Sequence, residues 1–473
     1  MGGGLLQLVA HGAQDAYLTG NPQITFWKGL FKRHTNFAME PFRINLTGMP
    51  MWGQKQSATL GRHADLAYST YLSIQLPAVD TTKGSNATIR WNNEQGRLGY
   101  NLLDYVEVEV GGQLIDRLYS EWLYLWETLT SDYNTSQKLW DMVGGGSGLS
   151  RGYTTLPNSG SCVQNIGRSA HPNLFFVPLP FFYTKNPGAA LPLIALQYHE
   201  VKININWRNA RFVGHVQTDG AEPGNINAIS TPPAPTSVAI YVDYIYLDVD
   251  ERRRMAQESH EYLIEQVQFN EDKGLSAANN RIDLTFNHPV KELVWVVQPE
   301  RFTNCKIADA SSRTAGVLRP DANRLTPFTY TYVNQAPTAA TSQPVLEQWL
   351  QINGQDRMDR RNGDYFNKVQ VYQHHSGTMS PAGFDGSTVQ STGVQPTRHQ
   401  AIYSYSFALK PEEQQPSGTC NFSRIDTATI VMNISGEYVI DESTDNHWNV
   451  RVYATNYNIL RVMSGMAGLA YAN

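Results

Sequence analysis

The sequence has little cysteine, little charge and no long apolar run, and each shortage removes a class of protein. Its three cysteines, Cys162, Cys305 and Cys420, are widely spaced and odd in number. That argues against a disulfide framework and fits a reducing compartment. No apolar run reaches the ~18 residues that a membrane-spanning helix needs. The opening "MGGGLLQLVAHG" has no basic stretch ahead of its short apolar run, so no secretory leader is expected. Leu6 breaks the myristoylation pattern. Without secretory entry, the Asn-x-Ser/Thr triplets at Asn45, Asn86, Asn134, Asn421 and Asn433 read as chance matches. Charged residues make up 17% of the chain, below the ~25% of an average globular protein. The net charge of −5 leaves no electrostatic footprint for wrapping nucleic acid, so direct genome binding is not expected.

Catalytic signatures are missing too. "GGGSG" (144–148) lacks the Lys-Ser/Thr of a phosphate loop and reads as a flexible loop. Gly-x-Ser-x-Gly is absent, and no cysteine carries a papain-like signature. Glu107 and Glu109 are paired carboxylates of the kind a glycosidase uses. Two-residue alternation explains them more simply, as a solvated or interface face of a strand. His374 and His375 adjoin, and as strand neighbours they would point to opposite faces. His199 and His260 each sit beside an acid, but none of the four makes a His-Glu-x-x-His arrangement. Arg252, Arg253 and Arg254, balanced by Asp248, Asp250 and Glu251, read as a salt-bridged junction. The expectation is a protein with no catalytic, cofactor or metal site, and not an enzyme.

What is present is β-structure. The 25 Tyr, 10 Trp and 17 Phe favour strands or large contact surfaces. In "YVEVEVGG", Val106, Val108 and Val110 face one side; in "EVKININW", Val201, Ile203, Ile205 and Trp207 do the same. "RIDLTF", "TPFTYTYV" and "NKVQVY" repeat the pattern. One long stretch, "DRLYSEWLYLWETLTSD", has helical spacing at Leu118, Trp122, Leu125, Trp126 and Leu129. Short strands between turn-rich segments predict an all-β sandwich, barrel or jelly roll. At 473 residues the chain is too long for one ordinary core.

Its halves echo each other. "VEVGGQLIDRL" (108–118) resembles "LQINGQDRM" (350–358). "FFYTKNPGAALPLIAL" (181–196) has a Phe-led counterpart in "FALKPEEQQPSGTCNFSRI" (407–425), and "NINWRNARFV" (204–213) resembles "ATNYNILRVM" (454–463). The charged, locally helical "DVDERRRMAQESHEY" (248–262) is the natural junction. It predicts domains at 1–255 and 256–473, the first including an N-terminal arm. Four segments, 143–173, 208–236, 303–326 and 375–398, are too long for tight turns.

The stretch "GAQDAYLTGNPQITFWKGLFKRHTNF" (12–37) crowds Asp15, Asn21, Lys28, Lys32, Arg33 and His34 among aromatics. His34 and Asp15 have no third partner for catalysis, so it reads as an assembly arm. A brief helix over "FWKGLFKR" would put Lys28 and Lys32 on one side and Trp27, Leu30 and Phe31 mostly around another. The basic side would then meet an acidic neighbour or lipid headgroups, after a turn at Gly20, Asn21 and Pro22.

"LVAHGAQDAYLTGNPQITFWKGLFKRHTNF", "DYIYLDVDERRRMAQESHEYLIEQ", "GDYFNKVQVYQHH", "YSFALKPEEQQPSGTCNFSRID" and "NYNILRVMSGMAGLAY" together resemble the major capsid protein of nucleocytoplasmic large DNA viruses. They run from residue 8 to residue 471. The resemblance implies two tandem eight-stranded antiparallel jelly rolls with short helices and long loops. It implies a homotrimeric, pseudo-hexameric capsomer that tiles an icosahedral shell. Neighbouring capsomers, minor capsid and penton proteins would be its partners, with an internal membrane met through Trp27, Lys28, Lys32 and Arg33. Assembly would take place in the host cytoplasm. The rival readings are a jelly-roll carbohydrate-binding protein or glycosidase, which would need a sugar site, and a secreted adhesin, which would need a leader and paired cysteines.

Overall fold

The computed structural model describes residues 3–27, 29, 31–77, 87–91, 97–144, 173–218, 233–275, 279–299, 328, 330, 344–377, 401–434 and 448–471, with backbone alone at 87–91, 173, 211, 214–218 and 299. The long segments expected at 143–173, 208–236, 303–326 and 375–398, and most of "TPFTYTYV", lie largely outside the described residues. The chain divides into two units, Met1–Ala38 and Met39–Asn473.

In the first unit, α1 (Gly3–Val9) and α2 (Asp15–Thr19) are short, and none of its described residues is buried. Gly12 N donates to Asp15 Oδ2 at 2.7 Å, and Asn21 turns the chain with φ 51°. The helix expected over "FWKGLFKR" is not found. Residues 31–36 have no regular structure, and Lys28 and Leu30 lie outside the described residues. A helix this short has no tertiary face to offset its nucleation cost.

The strands, the first of which begins at the last residues of the first unit, fall into two series. The first is β1 (Phe37–Asn45), β2 (Lys55–Thr59), β3 (Leu66–Leu76), β4 (Leu103–Val110), β5 (Gln113–Tyr119), β6 (Asn173–Pro178), β7 (Val201–Trp207) and β8 (Ser237–Leu247). The second is β9 (His260–Leu275), β10 (Asn280–Asp283), β11 (Pro289–Pro299), β12 (Val345–Ile352), β13 (Gln355–Asp356), β14 (Ile402–Ser406), β15 (Ala428–Ile434) and β16 (Trp448–Met463). The first series forms sheets in the order β1-β8-β3-β6 and β2-β7-β4-β5; the second forms β9-β16-β11-β14 and β10-β15-β12-β13. Adding eight to each strand number converts one half into the other. This is the strand order of a jelly roll, repeated. Small strands at 191–192, 361–362, 420–421 and 466–469 extend these sheets, and 87–91 pairs with 214–218.

Alternation explains the strands. Val106, Val108 and Val110 are fully buried, as are Ile203 and Ile205, and the two sets face each other across antiparallel ladders. Trp207 is buried with its indole N–H donated to Gln56 Oε1 at 2.8 Å, so its polar atom is satisfied. The first echo marks equivalent hairpins. β4–β5 turns through Gly111 and Gly112 (φ 58° and 84°), β12–β13 through Asn353 and Gly354 (φ 49° and 76°). Positive φ at both central positions is the type I′ hairpin turn, which favours Gly and Asn.

Three further expectations need correction. "NKVQVY" is not a strand: residues Tyr365–Val369 form a wide helical turn that continues into the helix Gln370–His374. Phe366 and Val371 are buried, with the Phe366 ring 5.4 Å from that of Trp295, so helical burial overrides the local alternation. The predicted helix starts later than its spacing implied. Asp116 to Leu118 pair in β5, and α3 (Ser120–Thr130) follows, then α4 (Tyr133–Val143) capped by Asp132. The third echo aligns β7 with β16, which are not equivalent, since β7 corresponds to β15. The Phe-led segments do follow equivalent strands, β6 and β14, although Phe182–Lys185 is a helical turn. The junction is helical as expected: α5 (Val249–Gln257) begins with the Asp248 carboxylate accepting from Val249 N at 2.7 Å.

Candidate functional site

The residues singled out in the sequence do not converge. Glu107 is buried, which corrects its reading as part of a solvated face. Lys55 Nζ lies 2.6 Å from Oε2 and Arg117 Nε 2.8 Å from Oε1, while Glu109 is 3.5 Å from the same ammonium. Burial pushes the Glu107 carboxyl up, but the hydrogen bonds and charges of Lys55 and Arg117 outweigh it and hold it below the usual range.

The histidines scatter. His199 Nδ1 is 3.0 Å from Ala467 O, His260 Nε2 2.8 Å from Met255 O, and His34 Nδ1 2.7 Å from Thr35 O. His374 and His375 end a helix rather than alternate on a strand. His374 reaches Leu409 O at 3.1 Å, and His375 is buried between Glu412 (3.2 Å) and Glu292 (3.6 Å). Among the described residues, no group of three or more His, Cys, Asp or Glu is placed to hold a metal. Arg252 pairs with the buried Asp65 at 2.8 Å rather than with Asp248, Asp250 or Glu251, the acids that the junction reading set against it. Cys420 is half-buried, and burial raises its thiol pKa; Cys162 and Cys305 lie outside the described residues.

What the residues do build is a seam between the two halves, and its chemistry was not read from the sequence. At one point Glu121, in the first turn of α3, accepts two bonds from Arg451 of β16, both at 2.6 Å, and one from Tyr453 OH at 2.7 Å. Tyr330 OH donates to the same carboxylate at 2.9 Å, and Arg451 also reaches Gln298 Oε1 at 2.7 Å. Burial alone would lower the Arg451 pKa, but the Glu121 carboxylate raises it, so the guanidinium stays charged. Around this lock, the Tyr453 ring lies 5.5 Å from Trp122, 6.1 Å from Tyr119 and 5.1 Å from Phe269.

A second lock joins Lys185 of the first half to Glu265 of β9 at 3.1 Å, with Lys291 on the other oxygen at 2.5 Å. The two ammoniums hold the Glu265 carboxyl low against burial. Beside it, Asp116 of β5 accepts from Val267 N at 3.1 Å, and Gln266 donates to Ile115 O. Asp116 is fully buried. Desolvation pushes its pKa up to about 7, with the backbone N–H groups of Val267 and Arg117 opposing only part of the rise. The seam closes at its edge, where Tyr198 N donates to Gly465 O at 2.9 Å. Such an arrangement moves no bonds of a substrate. It fixes one roll against the other at several charged, desolvated points, where breaking a pair costs more than an exposed ion pair contributes.

Comparison with known proteins follows the same division. Residues 25–248 match the family described as "Major capsid protein N-terminus", and residues 251–468 match "Large eukaryotic DNA virus major capsid protein". The chain is similar to major capsid proteins of Phaeocystis pouchetii virus (41% identical), Pyramimonas orientalis virus (42%) and Paramecium bursaria Chlorella virus 1 (37%), each over 100% of both chains. It also resembles PBCV-1 VP54, in a crystal structure fitted into a reconstruction of the virophage Sputnik. There the TM-score is 0.67 at 32% identity, over 95% of this chain and 100% of that one. The Faustovirus major capsid protein, at 13% identity and a TM-score of 0.61 over 96% of this chain and 94% of that one, shares the fold.

Proposed function

Because this chain belongs to the family of large eukaryotic DNA virus major capsid proteins, we propose that three copies associate about one axis into a pseudo-hexameric capsomer. The chain is a structural component of a virion's capsid shell, a double jelly roll and not an enzyme. The observation that carries the trimer is the strand-for-strand repetition of the two rolls. Two similar rolls in each of three chains supply six similar blocks around a threefold axis. Such a block meets six neighbours in a flat lattice.

In this reading residues 1–255 and 256–473 are the two domains, and the rigid seam keeps their angle constant so that the ring closes. The capsomers tile an icosahedral shell with minor capsid and penton proteins at its joints, assembled in the host cytoplasm. The arm reaches an inner membrane or a neighbouring subunit. Its exposed Trp27, Phe31, Lys32 and Arg33 offer apolar and basic groups to such a surface. The genome is not a direct partner. A carbohydrate-binding or glycosidase reading loses its best carboxylate pair, since Glu107 is occupied by Lys55 and Arg117.

Light scattering coupled to size exclusion tests this, applied to the full chain and to one lacking residues 2–25. Three chains of 53.0 kDa give 159 kDa. Both proteins should be trimers, and only the full chain should build closed shells. A stable monomer of the full chain at micromolar concentration contradicts the capsomer; closed shells from the truncated chain contradict the role of the arm.

A further inference from the structure

The seam has one more closure, at the C-terminal end of α3. A helix leaves its last carbonyls without partners of its own, and two of these are met by the second half of the chain. Gly377 N donates to Leu129 O at 2.6 Å, and Ser376 Oγ lies 3.0 Å from Thr130 O. The approach is so close that a Cβ at Gly377 would overlap Leu129 O. Residues 375–377 form a strap that leaves the helix Gln370–His374 and lies over the end of α3.

Glu412, in the segment after β14, grips the strap. Its Oε1 accepts from Ser376 N at 2.9 Å and faces His375 Nδ1 at 3.2 Å, and its Oε2 lies 2.6 Å from Ser376 Oγ. The single Ser376 hydroxyl proton serves either Glu412 or Thr130 at one time. The other ring nitrogen of His375, Nε2, points at Glu292 Oε2 of β11, 3.6 Å away. The His375 and Glu292 side chains are both 1% exposed, and neither of these two atoms has a hydrogen bond among the described residues.

A neutral imidazole has one N–H and one lone pair. Donating from Nδ1 to Glu412 turns the Nε2 lone pair on a buried carboxylate, and donating from Nε2 turns the other lone pair on Glu412. Only an additional proton satisfies both sides. The surroundings favour that proton on the ring. Burial pushes the Glu412 carboxyl up, but the hydrogen bonds of His375 and Ser376 outweigh it and hold it below the usual range. Glu292 also feels the charge of Lys291 beside it in β11, whose ammonium is held by Glu265 at 2.5 Å. On β16, Thr455 Oγ1 donates to Glu292 Oε1 at 3.3 Å, and burial, with the charges of Glu265 and Glu292, pushes the Tyr457 phenol up to about 12. His374 is turned to Leu409 O at 3.1 Å, and Lys410 is taken by Glu413 at 2.8 Å.

We infer that His375 is a proton-dependent latch: its imidazolium, bridging Glu292 and Glu412, holds the strap 375–377 down on α3, and loss of that proton at alkaline pH releases the strap from the first roll. The Glu121–Arg451 lock keeps its charge, whereas imidazole is the side chain whose charge changes near neutral pH. Without the proton, Glu292 is a buried carboxylate facing a lone pair, and an uncompensated buried charge is strongly destabilising.

The test is amide hydrogen exchange of the full-length protein, read by mass spectrometry on peptides covering 371–377 at about pH 6 and about pH 9. After correction for the intrinsic rate, protection of 375–377 should fall by roughly tenfold or more, within the limit of about tenfold per pH unit that one proton sets. In Glu292→Gln the side-chain amide donates to Nε2 of a neutral ring, so protection should be the same at both pH values. No fall in the wild type overturns the latch. An equal fall in Glu292→Gln also overturns it, because the titrating group would then lie elsewhere. If Glu292→Gln does not fold, deuterium exchange at the His375 ring Cε1–H over the same range decides, since it follows the ring's own proton. A ring already neutral at about pH 6 would overturn the latch, and one that loses its proton together with the protection of 375–377 supports it.

Discussion

The two equivalent hairpins make an instructive pair. Both turn through two residues with positive φ, and both carry Asp-Arg shortly after the turn. Yet β5 runs for seven residues and β13 for two. The difference lies in what covers them. Ile115 and Asp116 of β5 are bound by Gln266 and Val267 of the opposite roll, whereas Gln355 and Asp356 of β13 are exposed. A turn is a local decision made by Gly and Asn. How far the strand continues depends on whether another surface buries it, and side-chain contact across the sheet is the larger part of strand stability.

The covered side is the one that large effects should break. Glu121→Ala leaves Arg451 buried without its carboxylate, and removing one partner of a buried pair costs ~3–5 kcal/mol. The urea midpoint should fall accordingly. Combining it with Arg451→Met should cost less than the sum of the two single changes, since the stranded charge is gone. Additive losses would mean that the two residues are not coupled across the seam.

The turns themselves give a smaller contrast. At Gly354 an added Cβ meets nothing within 4 Å, so Gly354→Ala should cost only the left-handed backbone penalty of about 1–2 kcal/mol. At Gly111 the same Cβ would sit 2.4 Å from His199 Nδ1, which itself bonds Ala467 across the seam. Gly111→Ala should therefore be the more damaging of the two by chemical denaturation, and equal losses would show that His199 does not crowd this turn.

The remaining effect is on pH dependence. The folded pKa of Asp116, about 7, lies above its ordinary 3.8, so between those values the folded chain keeps a proton that the unfolded chain has lost. Stability contributed by this group is present at the acid end and is lost as pH rises toward 7, with a slope of at most ~1.4 kcal/mol per pH unit. Glu107 and Glu265 act in the opposite sense. Their folded pKa values lie below the ordinary 4.5, so their contribution is lost as pH falls through that range. Asp116→Asn should flatten the decline between pH 5 and 7 in unfolding titrations and leave the acid limb in place. An unchanged decline would show that another group causes it.

Much of the roll was legible because it is local. The alternation at Val106–Val110 and Val201–Trp207, the Gly-Gly and Asn-Gly turns, and the Asp248 cap of the junction helix are each written in a few adjacent residues. Helix 365–374 was not legible, because its alternating valines mimic a strand until Phe366 finds Trp295. Nor was the burial of Glu107, since its cations come from β2 and β5 and only Arg117 is near in sequence. The seam is the furthest from local: Glu121 and Arg451 are 330 residues apart, and no spacing rule links them.

Three chains make six similar blocks only if the two rolls are equivalent. Averaged electron-microscope projections of the purified full-length assembly, viewed down its axis, test it most directly. A closed ring of six lobes with threefold symmetry is expected; three separate lobes, or a particle with no axis, would show that the rolls are not equivalent blocks.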